Sequence, residues 1–256
     1  MSIFTPKNVS DERGPLLRLR RMMPAGLGRI CTVTYNNVVG ALPFAVKYRM
    51  LGKSLRKKRA PYRFLKPTDT VVQVGSARDI LHSGRSRAIN LAMYLPKGRL
   101  IVIEADTENQ DALQKYIDDH QLTNVTLVRS GAWDKKTTLE FWSNPAHPAS
   151  NLVREANDVI HEKVDESIYT KYEIEVDSID NILDSLGVET PRLICITTNG
   201  SEPFILQGIE RAIAAGCEYL SLAPTGKDYV EMVEKLGYEY VVEDDRGYFF
   251  RRKQSV

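Results

Sequence analysis

The 256-residue chain carries 43% hydrophobic and 27% charged residues, a globular balance that excludes bulk disorder and leaves room for one large α/β domain plus an appendage. No run reaches the roughly 18 to 20 consecutive apolar residues that span a bilayer, and no signal-like order of basic, apolar and small residues opens the sequence; a cytoplasmic, non-spanning protein is expected. The net charge of +2 hides an imbalance: residues 1–66 hold 15 Lys or Arg against 2 Asp or Glu, and residues 67–256 hold 20 against 31, so the two parts meet different surroundings.

Residues 1–66 are punctuated at Gly14-Pro15, Pro24, Gly26, Gly28, Gly40 and Pro43, which permits only short elements. They read as a basic helical appendage to a domain spanning 67–256. Its best helix starts near Pro43, where Phe44, Tyr48, Leu51 and Leu55 fall at i, i+4, i+7 and i+11 and predict one apolar stripe. Lys47, Arg49, Lys53, Arg56, Lys57, Lys58 and Arg59 cover the rest. Three readings of segment 43–59 stand side by side: a peripheral contact with anionic membrane, attraction to nucleic-acid phosphates, or docking on the acidic remainder of the same or another subunit.

From Thr70 onward short β-rich runs alternate with helical periodicity, the pattern of successive βα units around a mostly parallel sheet. Strands are predicted at 70–75, 99–104, 124–129, 173–176, 192–197 and 217–223, with a further one in TTLEFW. Helices are predicted around 85–95, 108–120, 178–187, 202–214 and 226–236, and residues 144–170 read as a loop-rich insertion. The chain closes on YEYVVEDDRGYFFRR, aromatic and β-branched runs around Asp244-Asp245-Arg246-Gly247 that signal a hairpin. The expectation is a Rossmann-like, doubly wound, seven-stranded sheet ending in an antiparallel hairpin. Cys31, Cys195 and Cys217 are odd in number and widely spaced, so neither a disulfide framework nor a zinc site is indicated; Cys195 and Cys217 read as small buried hydrophobes.

In such a fold ligands sit outside the carboxyl ends of the strands. There the first strand ends in Gly75-Ser76-Ala77, which allows close backbone approach by a ligand or simply a tight turn; a G-x-G-x-x-G dinucleotide signature is absent. Glu104, followed by Ala105, closes the second strand, where a carboxylate accepts hydrogen bonds from ribose hydroxyls or caps the next helix. After the third strand, Gly131 and Ala132 suit an adenine pocket, and Trp133 stacks on a ligand or packs in the core. Gln73 supplies a neutral amide near the same rim. Candidate proton acceptors are Asp79, His82, Asp134 and Glu202, with His147 and His161 in the insertion.

Read together, these pieces resemble the FkbM family of class I methyltransferases. RLICITTNGSEPFILQGIERAI at 192–213 is similar to a fourth strand ending K-I-D-V-E-G-x-E and a helix with L-x-G; Gly200, Glu202 and Gly208 match. VDSIDNILDSLGV and SGAWDKKTTLEFW are similar to the family's lead-in and third-strand turn. The departures are Gln73 for an acid, Thr197 for Asp and Asn199 for Glu. The resemblance implies an S-adenosylmethionine donor, held by Gly75, Ser76, Ala77, Glu104, Ala105, Gly131, Ala132 and Trp133 with Gln73 and Thr197 beside it. It implies methyl transfer to a hydroxyl of a small molecule, sugar or glycolipid. A binding module that has lost the reaction, and an RNA methyltransferase using the basic segment, are the alternatives; TTNG stands where an N-P-P-Y type motif would serve base methylation.

Overall fold

The computed structural model describes residues 33–34, 37–156, 165–223 and 229–253. The breaks at Gly14, Pro15, Pro24, Gly26 and Gly28, together with Cys31 and His161, lie outside the described residues. The strands are β1 (Thr70–Val74), β2 (Arg99–Glu104), β3 (Val125–Arg129), β4 (Gly131–Trp133), β5 (Thr137–Ser143), β6 (Leu152–Val153), β7 (Thr170–Ser178), β8 (Leu193–Ile196), β9 (Tyr219–Leu222), β10 (Tyr238–Glu243) and β11 (Tyr248–Arg252). The α-helices are α1 (Lys53–Arg56), α2 (Arg87–Tyr94), α3 (Thr107–Asp119), α4 (Ile179–Ser185), α5 (Glu202–Ile205), α6 (Glu210–Ala215) and α7 (Tyr229–Lys235).

Seven strands form the main sheet in the order β10-β11-β9-β8-β1-β2-β3. β1 lies centrally, parallel to both β2 and β8, whereas β11 runs antiparallel to β9 and β10. This is the doubly wound sheet and terminal hairpin expected from the sequence. Its inner strands are nearly all apolar because helices cover both faces. Val71, Leu100, Val102, Leu193 and Cys195 point into one core with α2 and α3, while their neighbours Val72, Ile101, Ile103 and Ile194 point into another with α4 to α7. Cys195 and Cys217 are buried, and burial pushes both thiols up to about 12. Side-chain caps begin α2, α3 and α4: Ser86 accepts from the Ile89 N–H, Asp106 from Asn109 and Ser178 from Asn181.

Three expectations need correction. The strands expected in TTLEFW and at 173–176 do not join the main sheet: as β5 and β7 they form a second, four-stranded sheet with β4 and with β6, which lies in the loop-rich insertion. β4 and β6 escape a pattern reading because they have 3 and 2 residues, too few to show a period. The helix expected over 202–214 is broken by a 3₁₀ turn at Leu206–Gly208. Gly208 passes so close to β4 that a Cβ would stand 2.3 Å from the Trp133 carbonyl oxygen.

The third correction concerns the segment after Pro43. Ala45–Gly52 is a π-helix leading into α1, and its i→i+5 bonding widens each turn. The stripe predicted at α-helical spacing therefore splits. Phe44 and Tyr48 pack against Tyr116, but Leu51 and Leu55 are 41% and 50% exposed. Lys47 turns inward and donates to the carbonyls of Gly40 and His82. Tyr48, Ala60 and Tyr62 belong to the same core as β1 and α2, so among the described residues of 37–66 no separate core exists.

A buried ion pair fastens the hairpin to α2. Arg87 donates to Asp244 at 2.6 Å with both side chains almost wholly buried, and Asp244 also accepts from the Ser221 hydroxyl and the Gly247 and Arg246 N–H groups. Burial opposes the Arg87 charge, but Asp244 together with Cys195, Asp245 and Tyr62 outweighs it and holds the guanidinium protonated. Asp244→Ala strands that cation and is expected to cost about 3 to 5 kcal/mol. Urea unfolding should show the midpoint falling at unchanged slope, with a smaller effect for Asp245→Ala, whose contact is 3.7 Å and partly exposed.

Candidate active site

Parallel pairing sets the carboxyl ends of β1, β2 and β8 side by side: Val74 is in register with Ile103 on one side and Ile196 on the other. The chain must then leave β1 between two neighbours. It does so at Gly75, with φ +82, where a Cβ would lie 2.4 Å from the Thr197 carbonyl oxygen. Only glycine fits that turn without strain. The Ser76 N–H donates to Glu104 Oε2 at 2.5 Å, so Gly75 and Glu104 share one rim.

Against this rim stands a cavity of about 360 Å³. One wall is the strand ends, with Gly75, Ser76, Ala77, Glu104 and Thr197; the other is the second sheet, with Phe141, Leu152, Ile174 and Val176. Segment 148–151 crosses it and is held by Asn199, whose Nδ2 donates to the Ala149 and Asn151 carbonyls. Arg85 and Arg246 line the side nearest the hairpin.

Glu104 is 5% exposed. Oε1 accepts from the Asp106 N–H at 3.0 Å and from Asn109 Nδ2 at 3.4 Å. Burial raises its carboxyl above the ordinary range, while the N–H groups of Asp106 and Ser76 work in the opposite direction. The cap of α3 is Asp106, which leaves the Glu104 side chain to the cavity. Asp106 also accepts from the Ser143 and Tyr172 hydroxyls and so ties the second sheet to the first.

Of the donor-site residues expected from sequence, Gly75, Ser76, Ala77, Glu104, Ala105, Gly131, Ala132 and Thr197 line this cavity. Gly131 is also demanded by packing, since a Cβ there would meet Val176 Cγ1 at 2.6 Å. Gln73 sits behind the rim, fully buried; its Nε2 donates to the carbonyls of Val74 and Gly75 and to Thr197 Oγ1. Trp133 is not among the lining residues. Its ring stacks on Phe204, 4.2 Å between centroids, in the core of the second sheet.

Among the described proton-acceptor candidates, only Asp79 lines the cavity, at its exposed edge. His82 is exposed and edges onto Tyr116; Asp134 faces Lys135 at 3.8 Å; His147 is exposed. Glu202 is fully buried and accepts from the Thr198 N–H, closing the turn after β8. The wall supplied by β5, β6 and β7 was not foreseen, nor was Arg246 from the hairpin turn.

No family model matches the sequence, and no curated protein matches it. Among solved structures the chain is similar to the methyltransferase FkbM from Methylobacillus flagellatus KT, with 16% identity, 89% of this chain and 60% of that one covered, and a TM-score of 0.48. It is also similar to precorrin-6y C5,15-methyltransferase from Geobacter metallireducens GS-15, with 13% identity, 73% and 72% coverage and a TM-score of 0.40. The Methanococcus jannaschii fibrillarin pre-rRNA processing protein is likewise similar, with 11% identity, 82% and 77% coverage and a TM-score of 0.40. Numbered along the main sheet alone, the strand order is 3-2-1-4-5-7-6. With β11 antiparallel to both its neighbours, that order makes a Rossmann-like, doubly wound sheet. The chain spans 60% of the length of the FkbM structure. The chemistry must come from the cavity itself.

Gly75→Ala tests the rim. Forcing a Cβ onto a left-handed backbone costs about 1 to 2 kcal/mol, and the overlap with Thr197 adds to it. The expected result is a thermally less stable protein by calorimetry, whereas Gly187→Ala, also at positive φ but with open space around its Cβ position, shows the backbone cost alone.

Proposed function

We propose that this chain is an S-adenosylmethionine-dependent methyltransferase that transfers a methyl group to a hydroxyl oxygen of a sugar, glycolipid or other small molecule. The observation that carries this reading is a buried carboxylate, Glu104, facing a cavity beside the left-handed turn at Gly75. A carboxylate offers about four lone-pair directions. Three N–H groups occupy three of them, the Asn109 contact being the longest, so a ribose diol has one open direction and one weakly held one.

Other atoms fit the same group. Ser76 Oγ and Asn151 Nδ2 are buried without a hydrogen-bond partner, and both residues line the cavity. Each such atom costs about 1 to 3 kcal/mol until something pairs with it, which favours a polar ligand there. Gly131, Ala132, Phe141 and Ile103 provide an apolar side suited to an adenine ring. When bound, the donor supplies an electrophilic methyl on a sulfonium.

The remaining work falls to this chain's own groups. Aligning acceptor and methyl carbon can contribute roughly 7 to 11 kcal/mol, and the cavity between the two sheets supports that alignment. The attacking hydroxyl must also shed its proton, for which a base typically contributes about 10² to 10⁴-fold. Asp79 is the candidate, being the acid at the cavity edge. Gln73 acts as a positioning residue: its amide bridges Gly75 and Thr197 across β1 and β8.

That bridge also motivates the second reading, a binding module without turnover. An amide and a hydroxyl stand at Gln73 and Thr197 where the resemblance leads one to expect acids, so these two positions bring no negative charge to a cationic donor. Labelled donor incubated with hydroxylated extracts separates the two readings: donor binding with no label in any product favours the module.

Calorimetric titration with S-adenosylmethionine should give an affinity that Glu104→Ala lowers by about ten- to a hundred-fold; unchanged affinity would remove Glu104 from the site. Because accepting ribose hydroxyls requires the ionised carboxylate and burial raises its pKa, affinity should decline on acidification from a pH above the ordinary Glu value of about 4.3. Glu104→Gln should lose that dependence. Asp79→Asn is expected to lower turnover about 10²-fold with donor affinity intact; an unaltered rate would assign the proton to water.

A further inference from the structure

Among the described residues the large exposed hydrophobics are Val33, Val38, Met50, Leu51, Leu55 and Ile168. All but Ile168 precede β1, and Met50, Leu51 and Leu55 crowd onto the π-helix and α1. Singly exposed apolar residues need no explanation, but a cluster does.

The cluster cannot simply roll inward, because the inner side of this segment is fastened. Lys47 Nζ donates to the Gly40 and His82 carbonyls at 3.1 and 2.8 Å, Tyr48 OH to Leu81 at 2.6 Å, and Tyr94 OH to the Lys53 carbonyl at 2.7 Å. Gly52 is pressed so near α2 that a Cβ would lie 2.6 Å from Asn90 Oδ1. With these contacts made, Met50, Leu51 and Leu55 face solvent.

The charges carried by the segment itself all have one sign. No Asp or Glu occurs between Glu12 and Asp69, and Arg49, Lys53, Lys57, Lys58, Arg63 and Lys66 are exposed. A phosphodiester backbone would satisfy the cations but leave the leucines and methionine in water. A bilayer surface with anionic headgroups meets both, taking the apolar side chains below the headgroups and the ammonium groups among them.

We propose that the outer face of residues 49–58 docks this protein on membranes rich in anionic lipid. The full chain should co-sediment with vesicles of phosphatidylcholine mixed with phosphatidylglycerol and not with phosphatidylcholine alone, and added salt should weaken binding. Replacing Lys53, Lys57 and Lys58 by Ala should reduce binding by about a hundred-fold. Leu51→Ser with Leu55→Ser should reduce it several-fold while circular dichroism and melting match the parent. Equal binding to both vesicle types, or to neither, would overturn the proposal. So would serine variants that keep full vesicle binding and hold single-stranded RNA as tightly as the parent, which marks a nucleic-acid surface. A parent that sediments as a dimer, turns monomeric in the serine variant and ignores vesicles would assign the face to a second copy.

Discussion

The parallel pairing of β1 with β2 on one side and β8 on the other is the constraint on which the rest of the molecule depends. It brings Val74 level with Ile103 and Ile196, and three chain segments must diverge from nearly one point. A left-handed glycine solves the first departure, a carboxylate tied to backbone N–H groups holds the second, and a hydroxyl bonded back to the rim holds the third. The site is thus a by-product of strand register. A one-residue slip of β2 would turn Glu104 to the other face of the sheet and take the carboxylate from the cavity.

The second sheet adds a facing wall to that open rim and makes it a cavity. Asp106, one residue removed from the Glu104-Ala105 pair, anchors it through Ser143 and Tyr172, and Asn199 anchors the crossing segment from the opposite bank. Side chains at positions that the family resemblance singles out act here as braces. Glu202 closes a turn, Trp133 fills a core, and Asn199 holds a strap; Gln73 joins the two central strands through its amide.

The main sheet was legible because its strands are buried on both sides and write themselves as unbroken apolar runs, such as LICI in β8, bounded by turns. The rim was legible for a related reason: small residues and an acid ending such runs have few structural explanations. Direction was not legible. Asp79 and His82 are three positions apart in one loop, yet one meets the cavity and the other lies outward against Tyr116, a difference that only tertiary packing decides. Nor could spacing reveal the π-helix, since counting at 3.6 residues per turn presupposes α-helical bonding and put Leu51 and Leu55 on one apolar stripe with Phe44 and Tyr48, whereas they stand exposed. The wall contributed by β5, β6 and β7 depends on pairing across the insertion, beyond any local pattern.

A nucleoside held between the Gly75 turn and Glu104 is the claim to which the functional reading reduces. A crystal structure of the chain with S-adenosylhomocysteine tests it most directly. The account predicts density in the cavity, with ribose oxygens against Glu104 and the adenine beside Ala132. Density at another surface, or an empty cavity at saturating ligand, would contradict it.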